Sequence, residues 1–253
     1  MLDHHKAWFE DHVRSFLTGH PQDDRHILLK KDHSLKVLAE AMDITACLDI
    51  PARLRDTVHL GALYHDVGRF TQYSRYKTFR EDRSVNHGLL GCLVLRQTPA
   101  LDCLDREQAG LVRAVVAVHN RREVPGRLPK DLDLAVRVVR DSDKLDIMRI
   151  MLAHFKPGAQ KSDVVTLHLA DEPGGFTPSI VEDIRAGRIG RYASMRYVND
   201  FKLLLISWVF DLNFPASRRA FHNRGYAEEL LGSLPERPEL TGLKDRIYEA
   251  LND

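Results

Sequence analysis

Apolar positions recur at helical spacing along almost the whole chain. Leu35, Leu38, Met42 and Ala46 keep that spacing after a start at residues 32–34, and Leu54, Val58 and Ala62 form a second stripe beyond Pro51. One more turn of the second stripe lands on His65. The same pattern predicts helices over residues 86–97, 105–120, 131–155, 191–212 and 240–251, with turns at Pro99, Pro125, Gly126, Pro157 and Gly158. Thr177 and Pro178 mark a further helix start behind the loop Pro173, Gly174, Gly175. Only residues 164–169 read as strand. The pattern predicts an all-α helical bundle with at most a short β element. No repeat or linker divides it, so the chain reads as one domain over residues 1–253.

Several polar residues interrupt apolar faces. On the helix from Asp131, the wheel at about 100° per residue sets Leu132, Val136, Val139, Ile147 and Ile150 within about 40° of Asp143. A carboxylate there must be protonated, paired or bound to a metal. Asp141 sits equally among Leu134, Val138, Leu145 and Met148 on the opposite face, so periodicity leaves the two aspartates tied. His65 and Asp66 close a helix whose last turns are Leu60 to Tyr64, with Gly68 as its expected stop. His119 follows the apolar stretch Leu111 to Val118 and is expected to point inward. Taken singly, each of these has an ordinary reading as a hydrogen-bonded core residue.

Composition narrows the choice of chemistry. The chain has 253 residues, 43% of them hydrophobic, enough for one sizeable core. Its 37 Lys and Arg against 36 Asp and Glu leave a formal charge of +1, without chain-wide attraction to nucleic acid or an anionic membrane. The longest apolar run, residues 203–210 interrupted by Ser207, is far short of the roughly 20 residues a spanning helix needs and reads as a central core helix. The start, Met1 to Lys6, lacks the apolar stretch of a secretory signal, and a cytoplasmic location is expected. Cys47, Cys92 and Cys103 form no CxxC pair and are odd in number, which argues against a disulfide framework or a thiolate zinc site. Buried thiols are expected. The unusual number is 13 histidines. Of these, His4 and His5 read as a surface cluster, and His12, His20, His26, His59, His154, His168 and His222 show no partner spacing.

The remaining histidines fall in an order: His33, then His65 with Asp66, then His87, His119 and finally Asp143. That order, with the local runs Ala62-Leu63-Tyr64-His65-Asp66-Val67-Gly68-Arg69 and Asp141-Ser142-Asp143-Lys144-Leu145-Asp146, resembles the HD-domain superfamily of metal-dependent phosphohydrolases. The resemblance covers about residues 28–153 and leaves 154–253 as a C-terminal helical extension. It breaks the tie in favour of Asp143, which stands directly before a basic residue and three before another acid. It implies that His33, His65, Asp66 and Asp143 hold one metal, and that His87 and His119 extend the set to a second. Asp66 would bridge the two, with His65 and Asp66 at the heart of catalysis. Some two-metal branches have an adjacent histidine pair at the later position, whereas here Asn120 follows His119.

Imidazole and carboxylate donors suit one or two divalent transition metal ions, Mn, Fe, Co, Ni or Zn, better than Mg or Ca. Such ions acidify water enough for it to attack phosphorus near neutral pH, consistent with the lack of any GxSxG elbow or Walker loop. Arg69, Arg75, Lys77, Arg80 and Arg83 form a locally basic stretch, diluted by Glu81 and Asp82. Arg69 and Lys144, beside proposed ligands, lead as phosphate contacts, followed by Lys77 and Arg80. The expected substrate is a small phosphate ester, a nucleotide or related phosphorylated metabolite. Neither membrane nor nucleic acid is an expected partner, and self-association is left open. Two other readings use the same residues: a di-iron oxygenase of the same superfamily, and a sensor that binds a nucleotide or metal without turnover.

Overall fold

The computed structural model describes residues 1–122, 124, 126–156, 158, 159 and 162–252. Its regular elements are the helices α1 (Leu2–Arg14), α2 (Pro21–Ala46), α3 (Ala52–Tyr64), α4 (Val67–Tyr76), α5 (His87–Gln97), α6 (Arg106–Val118), α7 (Lys130–Phe155), α8 (Pro178–Arg185), α9 (Val198–Ser207), α10 (Pro215–Asn223), α11 (Tyr226–Gly232) and α12 (Leu243–Asn252), with short 3-10 turns between some of them. Among the described residues, extended pairing is limited to one parallel bridge between Ala170 and Tyr197. The all-α expectation holds. No helix among these residues is long and apolar enough to cross a membrane. Where the sequence suggested one domain, contacts group the chain into two compact units, Met1–Asp146 and Ile147–Asp253, with the boundary inside α7.

In the first unit α2 packs on α3, α3 on α6, and α5 on both α4 and α6. Val37, Leu38 and Ala41 of α2, Val58, Leu60 and Leu63 of α3, Val112, Val115 and Val116 of α6, and Val136 and Val139 of α7 are all buried. Complete burial of each Val or Leu contributes about 1.5–3 kcal/mol relative to exposure. α2 begins at Pro21, eleven residues before the expected start at residue 32. Its first turn is polar, with proline in place and Asp23 and Asp24 at the positive end of the helix dipole, so no apolar stripe announces it. α1 was hidden for another reason. Its buried stripe is His5, Phe9 and Val13, and the first of these was assigned to the surface.

Gly68, the expected helix stop, instead lies in the first turn of α4. A Cβ there would collide with the His87 carbonyl oxygen and stand 2.6 Å from the Gly91 nitrogen. The glycine therefore permits backbone contact between α4 and α5, which delivers His87 to the neighbourhood of Asp66. Gly88 acts likewise against α6, where a Cβ would stand 2.7 Å from Asn120 Oδ1 and 2.8 Å from the Val116 carbonyl.

In the second unit α9 packs against α8 and α11, while α12 packs against α8 and α10. The apolar run 203–210 forms most of α9 and the 3-10 turn after it, and Leu203 to Ile206 are fully buried, as a core helix requires. The helix expected over 191–212 begins only at Val198, capped by reciprocal bonds between Tyr197 and Asp200. α8 starts at Pro178 behind Thr177, as the sequence indicates.

The strand expected over 164–169 is absent. That segment is a run of turns in which Leu167 and His168 take left-handed backbone angles and the His168 amide donates to the Asp163 carbonyl at 2.7 Å. Its β-branched residues had no neighbouring strand to pair with, and local hydrogen bonds took over. Pro125 and Pro157, expected in turns, lie outside the described residues. The cysteines also depart from expectation: Cys47 and Cys103 are exposed and Cys92 half-buried. Cys47 caps the end of α2 and Cys103 follows the 3-10 turn Pro99–Leu101, positions outside any apolar stripe.

Candidate metal centre

Six helices, each by one side chain, bring six residues of the first unit to one point. His33 comes from the middle of α2, and His65 from the C-terminal cap of α3. Asp66 caps the start of α4, His87 opens α5, His119 caps the end of α6 and Asp143 lies on α7. His33 Nε2 stands 3.2 Å from His65 Nε2 and 3.0 Å from Asp143 Oδ1. His87 Nε2 stands 3.1 Å from His119 Nε2 and 3.1 Å from Asp66 Oδ1. The other Asp66 oxygen, Oδ2, is 3.6 Å from His33 Nε2 and 3.7 Å from His65 Nε2. Asp66 thus lies between two histidine pairs, with one oxygen toward each. Asp143, one of the two residues that periodicity left tied, makes this contact with His33.

The opposite ring nitrogens are all held outward. His33 Nδ1–H donates to Asp146 Oδ2 at 2.8 Å, and His87 Nδ1–H donates to Glu81 Oε1. His65 and His119 donate their Nδ1–H to the carbonyls of Ala62 and Val116, at 2.8 and 2.7 Å. A carbonyl can only accept, so Nδ1 of these two rings must hold the proton. All four Nε2 atoms then face the interior, and those of His65 and His119 present a lone pair there. Paired Nε2 atoms 3.1–3.2 Å apart beside two carboxylates repel unless a cation or a proton lies among them.

Charge states reflect this crowding. Burial and the neighbouring histidines push His119 down to about 3, and burial likewise lowers His65, so both rings are neutral near pH 7. Burial and Lys30 oppose charge on His33, yet its bonds to Asp143 and Asp146 carry it above the ordinary imidazole value. Burial would raise Asp66, but Lys30, His65, His87 and Arg69 hold it well below the usual carboxylate range. Asp143 is likewise lowered against its burial, by His33 and His65. It keeps 23% of its side chain exposed, so the cluster opens to solvent on the α7 side.

Two groups of donors could hold a metal, His33 with His65 and Asp143, and His65 with Asp66 and His119, each set lying within 4.8 Å. Donors on one ion at about 2.1 Å and near right angles stand roughly 3 Å apart, close to the separations found here. Nitrogen and carboxylate oxygen together fit a transition metal better than an all-oxygen shell would.

A family model for the HD domain matches residues 31–148. Over that stretch the chain carries an HD domain, which supports the HD-domain superfamily. HD domains are generally metal-dependent phosphohydrolases, and the matched stretch contains all six residues of the cluster. Neither the curated proteins nor the solved structures searched yielded a match.

The expected phosphate contacts divide. Arg69 lies beside the cluster, its Nε 3.4 Å from Asp66 Oδ1 and its Nη1 donating to Gln72 and to the Phe79 carbonyl. Lys144 is buried next to Asp143 in the HD domain. Lys77 pairs instead with Asp23 at 2.7 Å and more than half its side chain is exposed, while Arg80 pairs with Asp82.

Three participants escaped the sequence reading. Lys30 Nζ donates to Asp66 Oδ2 at 2.7 Å with only 16% of its side chain exposed. It lies one turn before His33 on α2, a signal lost once the helix was started at residue 32. Glu81, dismissed as dilution of a basic loop, anchors His87 and is held down to about 2 against its burial by the bond to that ring. Asn120 donates to Glu81 at 2.8 Å. Where other branches place a second histidine, this HD domain has a residue that braces the carboxylate behind His87.

Proposed function

We propose that this protein hydrolyses a phosphate ester of a nucleotide or related small phosphorylated metabolite at the histidine–aspartate cluster. His33, His65, Asp66 and Asp143 would hold one divalent transition metal ion, and His87 and His119 would join Asp66 in holding a second. The observation that carries this reading is the uniform direction of the four imidazoles, each with Nδ1 engaged outward and Nε2 turned toward the centre. An anchored Nδ1–H fixes the tautomer and raises the basicity of Nε2, the usual arrangement behind a metal-ligating histidine. When bound, the ions would supply Lewis acidity for a phosphate oxygen and a water acidified toward neutral pH.

The protein's own contribution is position and charge. Asp66 offers an oxygen to each side and so fixes the spacing of the two halves. Lys30 and Arg69 both stand against Asp66 and over the Phe79 ring, at 5.4 and 5.7 Å from its centroid. With a metal held at Asp66, Lys30 and Arg69 would be able to turn toward the negative charge of a phosphate, and Lys144 next to Asp143 would add to the positive field. Lys30 takes the part first expected of Lys77 and Arg80. A small anionic substrate would approach at Asp143, which keeps 23% of its side chain exposed.

The test is a panel of nucleoside mono-, di- and triphosphates, sugar phosphates and cyclic or linear phosphodiesters, assayed with Mn, Fe, Co, Ni and Zn. Release of phosphate or of a nucleotide product, lost in Asp66→Ala, is the expected result. Metal-loaded protein inert across the whole panel would overturn the reading.

A further inference from the structure

A second cluster of reactive side chains lies outside the histidine–aspartate centre. His5 on α1 is fully buried, and its Nδ1 stands 3.0 Å from the hydroxyl of Tyr64, the last residue of α3. The Tyr64 hydroxyl donates in turn to the His5 carbonyl at 3.4 Å. In the tautomer with Nδ1–H directed to Tyr64, Nε2 holds the lone pair. Facing Nε2 at 3.4 Å is the sulfur of Cys103, which lies at the surface. An exposed thiol thus lies within hydrogen-bond distance of a buried imidazole.

We propose that Cys103 is a modification site, a nucleophilic thiol that exchanges with low-molecular-weight disulfides and is activated by His5. In the step, the Cys103 S–H bond breaks and its proton passes to His5 Nε2. The sulfur forms a bond to one sulfur of the incoming disulfide, whose own S–S bond breaks. The electron pair leaves on the departing thiolate, which takes up a proton from His5 or solvent. Cys103 ends as a mixed disulfide and the small disulfide is reduced to one thiol.

Burial holds His5 below the ordinary imidazole value, helped by the charge of His4, so it waits neutral and able to accept. The Ala100 carbonyl faces the same ring and favours the protonated form once the proton arrives. The other surface cysteine provides the contrast. Cys47 has its sulfur against the Asp43 carbonyl at 3.7 Å, and a carbonyl cannot take a thiol proton. Thiolate availability and access govern such exchange, and only Cys103 combines exposure with an adjacent imidazole among these two.

Full-length protein treated with oxidised glutathione at neutral pH and mapped by mass spectrometry tests this directly. Cys103 should form its mixed disulfide about tenfold faster than Cys47, and His5→Gln should slow Cys103 about tenfold while leaving Cys47 unchanged. Equal rates at the two cysteines of the wild-type protein would overturn the proposal, and that comparison needs no variant. An unaltered Cys103 rate in a His5→Gln protein of native helical content would overturn it equally.

Discussion

The two histidine pairs of the centre look alike and are built differently. His33 and His65 meet at 3.2 Å and His87 and His119 at 3.1 Å, and each pair has one oxygen of Asp66. The first pair also has Asp143, and its anchors, Asp146 and the Ala62 carbonyl, belong to helices α7 and α3. Around the second pair the carboxylate besides Asp66 is Glu81, which comes from a 3-10 turn, sits behind His87 on its outer nitrogen, and is itself steadied by Asn120. Four donors on a rigid frame and three on a partly loop-held one should differ in affinity. The comparison predicts a tight first site and a weaker second one.

The largest effect should follow from removing what the halves share. Asp66→Ala is expected to abolish phosphate release and to cost metal affinity at both sites by more than the roughly 10–100-fold that loss of an outer partner causes. Isothermal titration with Mn(II) or Co(II) beside an activity assay checks it, and retention of one tight site would break the bridging role.

Next come the halves themselves. His87→Ala should leave one ion per chain by elemental analysis, whereas His33→Ala should leave none firmly held, because the weaker site depends on an ordered Asp66. Equal retention in the two variants would remove the asymmetry. Smaller again are the outer anchors, where Asp146→Asn and Glu81→Gln should each lower affinity about 10–100-fold in their own half. If Glu81→Gln weakens the first site as much as the second, the two halves are not separately built.

The smallest effect concerns stability without metal. His119 is held down to about 3 and His12, half-buried against Trp8, Phe16 and Phe70, down to about 4. Both titrate lower in the folded chain than in the unfolded one, so between about pH 6.5 and 4 the unfolded state binds more protons and stability falls as pH falls. His33 has the opposite sign, and its contribution is lost only as pH rises through its elevated value. The net loss expected from pH 7 to 5 is about 1–3 kcal/mol, readable by thermal melts of metal-free protein. Stability that rises on acidification over that window would contradict the neutral state of His119.

Much of this was legible in the sequence, for reasons that particular residues make clear. The stripes on α3, α6 and α7 are apolar and regular, so His65, His119 and Asp143 stood out as polar interruptions of a buried face. Asp143 could not be told from Asp141 by periodicity, since α7 is apolar on both sides, and only the order of motifs separated them. Lys30 and the first turns of α2 were illegible because a polar helix start carries no stripe. Glu81 was illegible because a single acid in a basic loop gives no hint of the ring it will hold across six residues. His5 was missed by neighbourhood: Asp3, His4 and Lys6 around it are polar, yet it completes the buried face of α1 and meets Tyr64 from 59 residues away. Gly68 was recognised as special and given the wrong task, because sequence shows that a side chain is absent and not which backbone occupies the space.

The central claim is that six converging side chains require a cation. It is tested most directly by titrating demetallated protein with Co(II) and following both heat and the visible absorption of nitrogen-coordinated cobalt. The account predicts saturable binding in two unequal steps, with the spectrum losing intensity when His65 is replaced by alanine. A titration in which the wild-type protein binds no Co(II), or binds it with the same affinity and spectrum after His65→Ala, would contradict it.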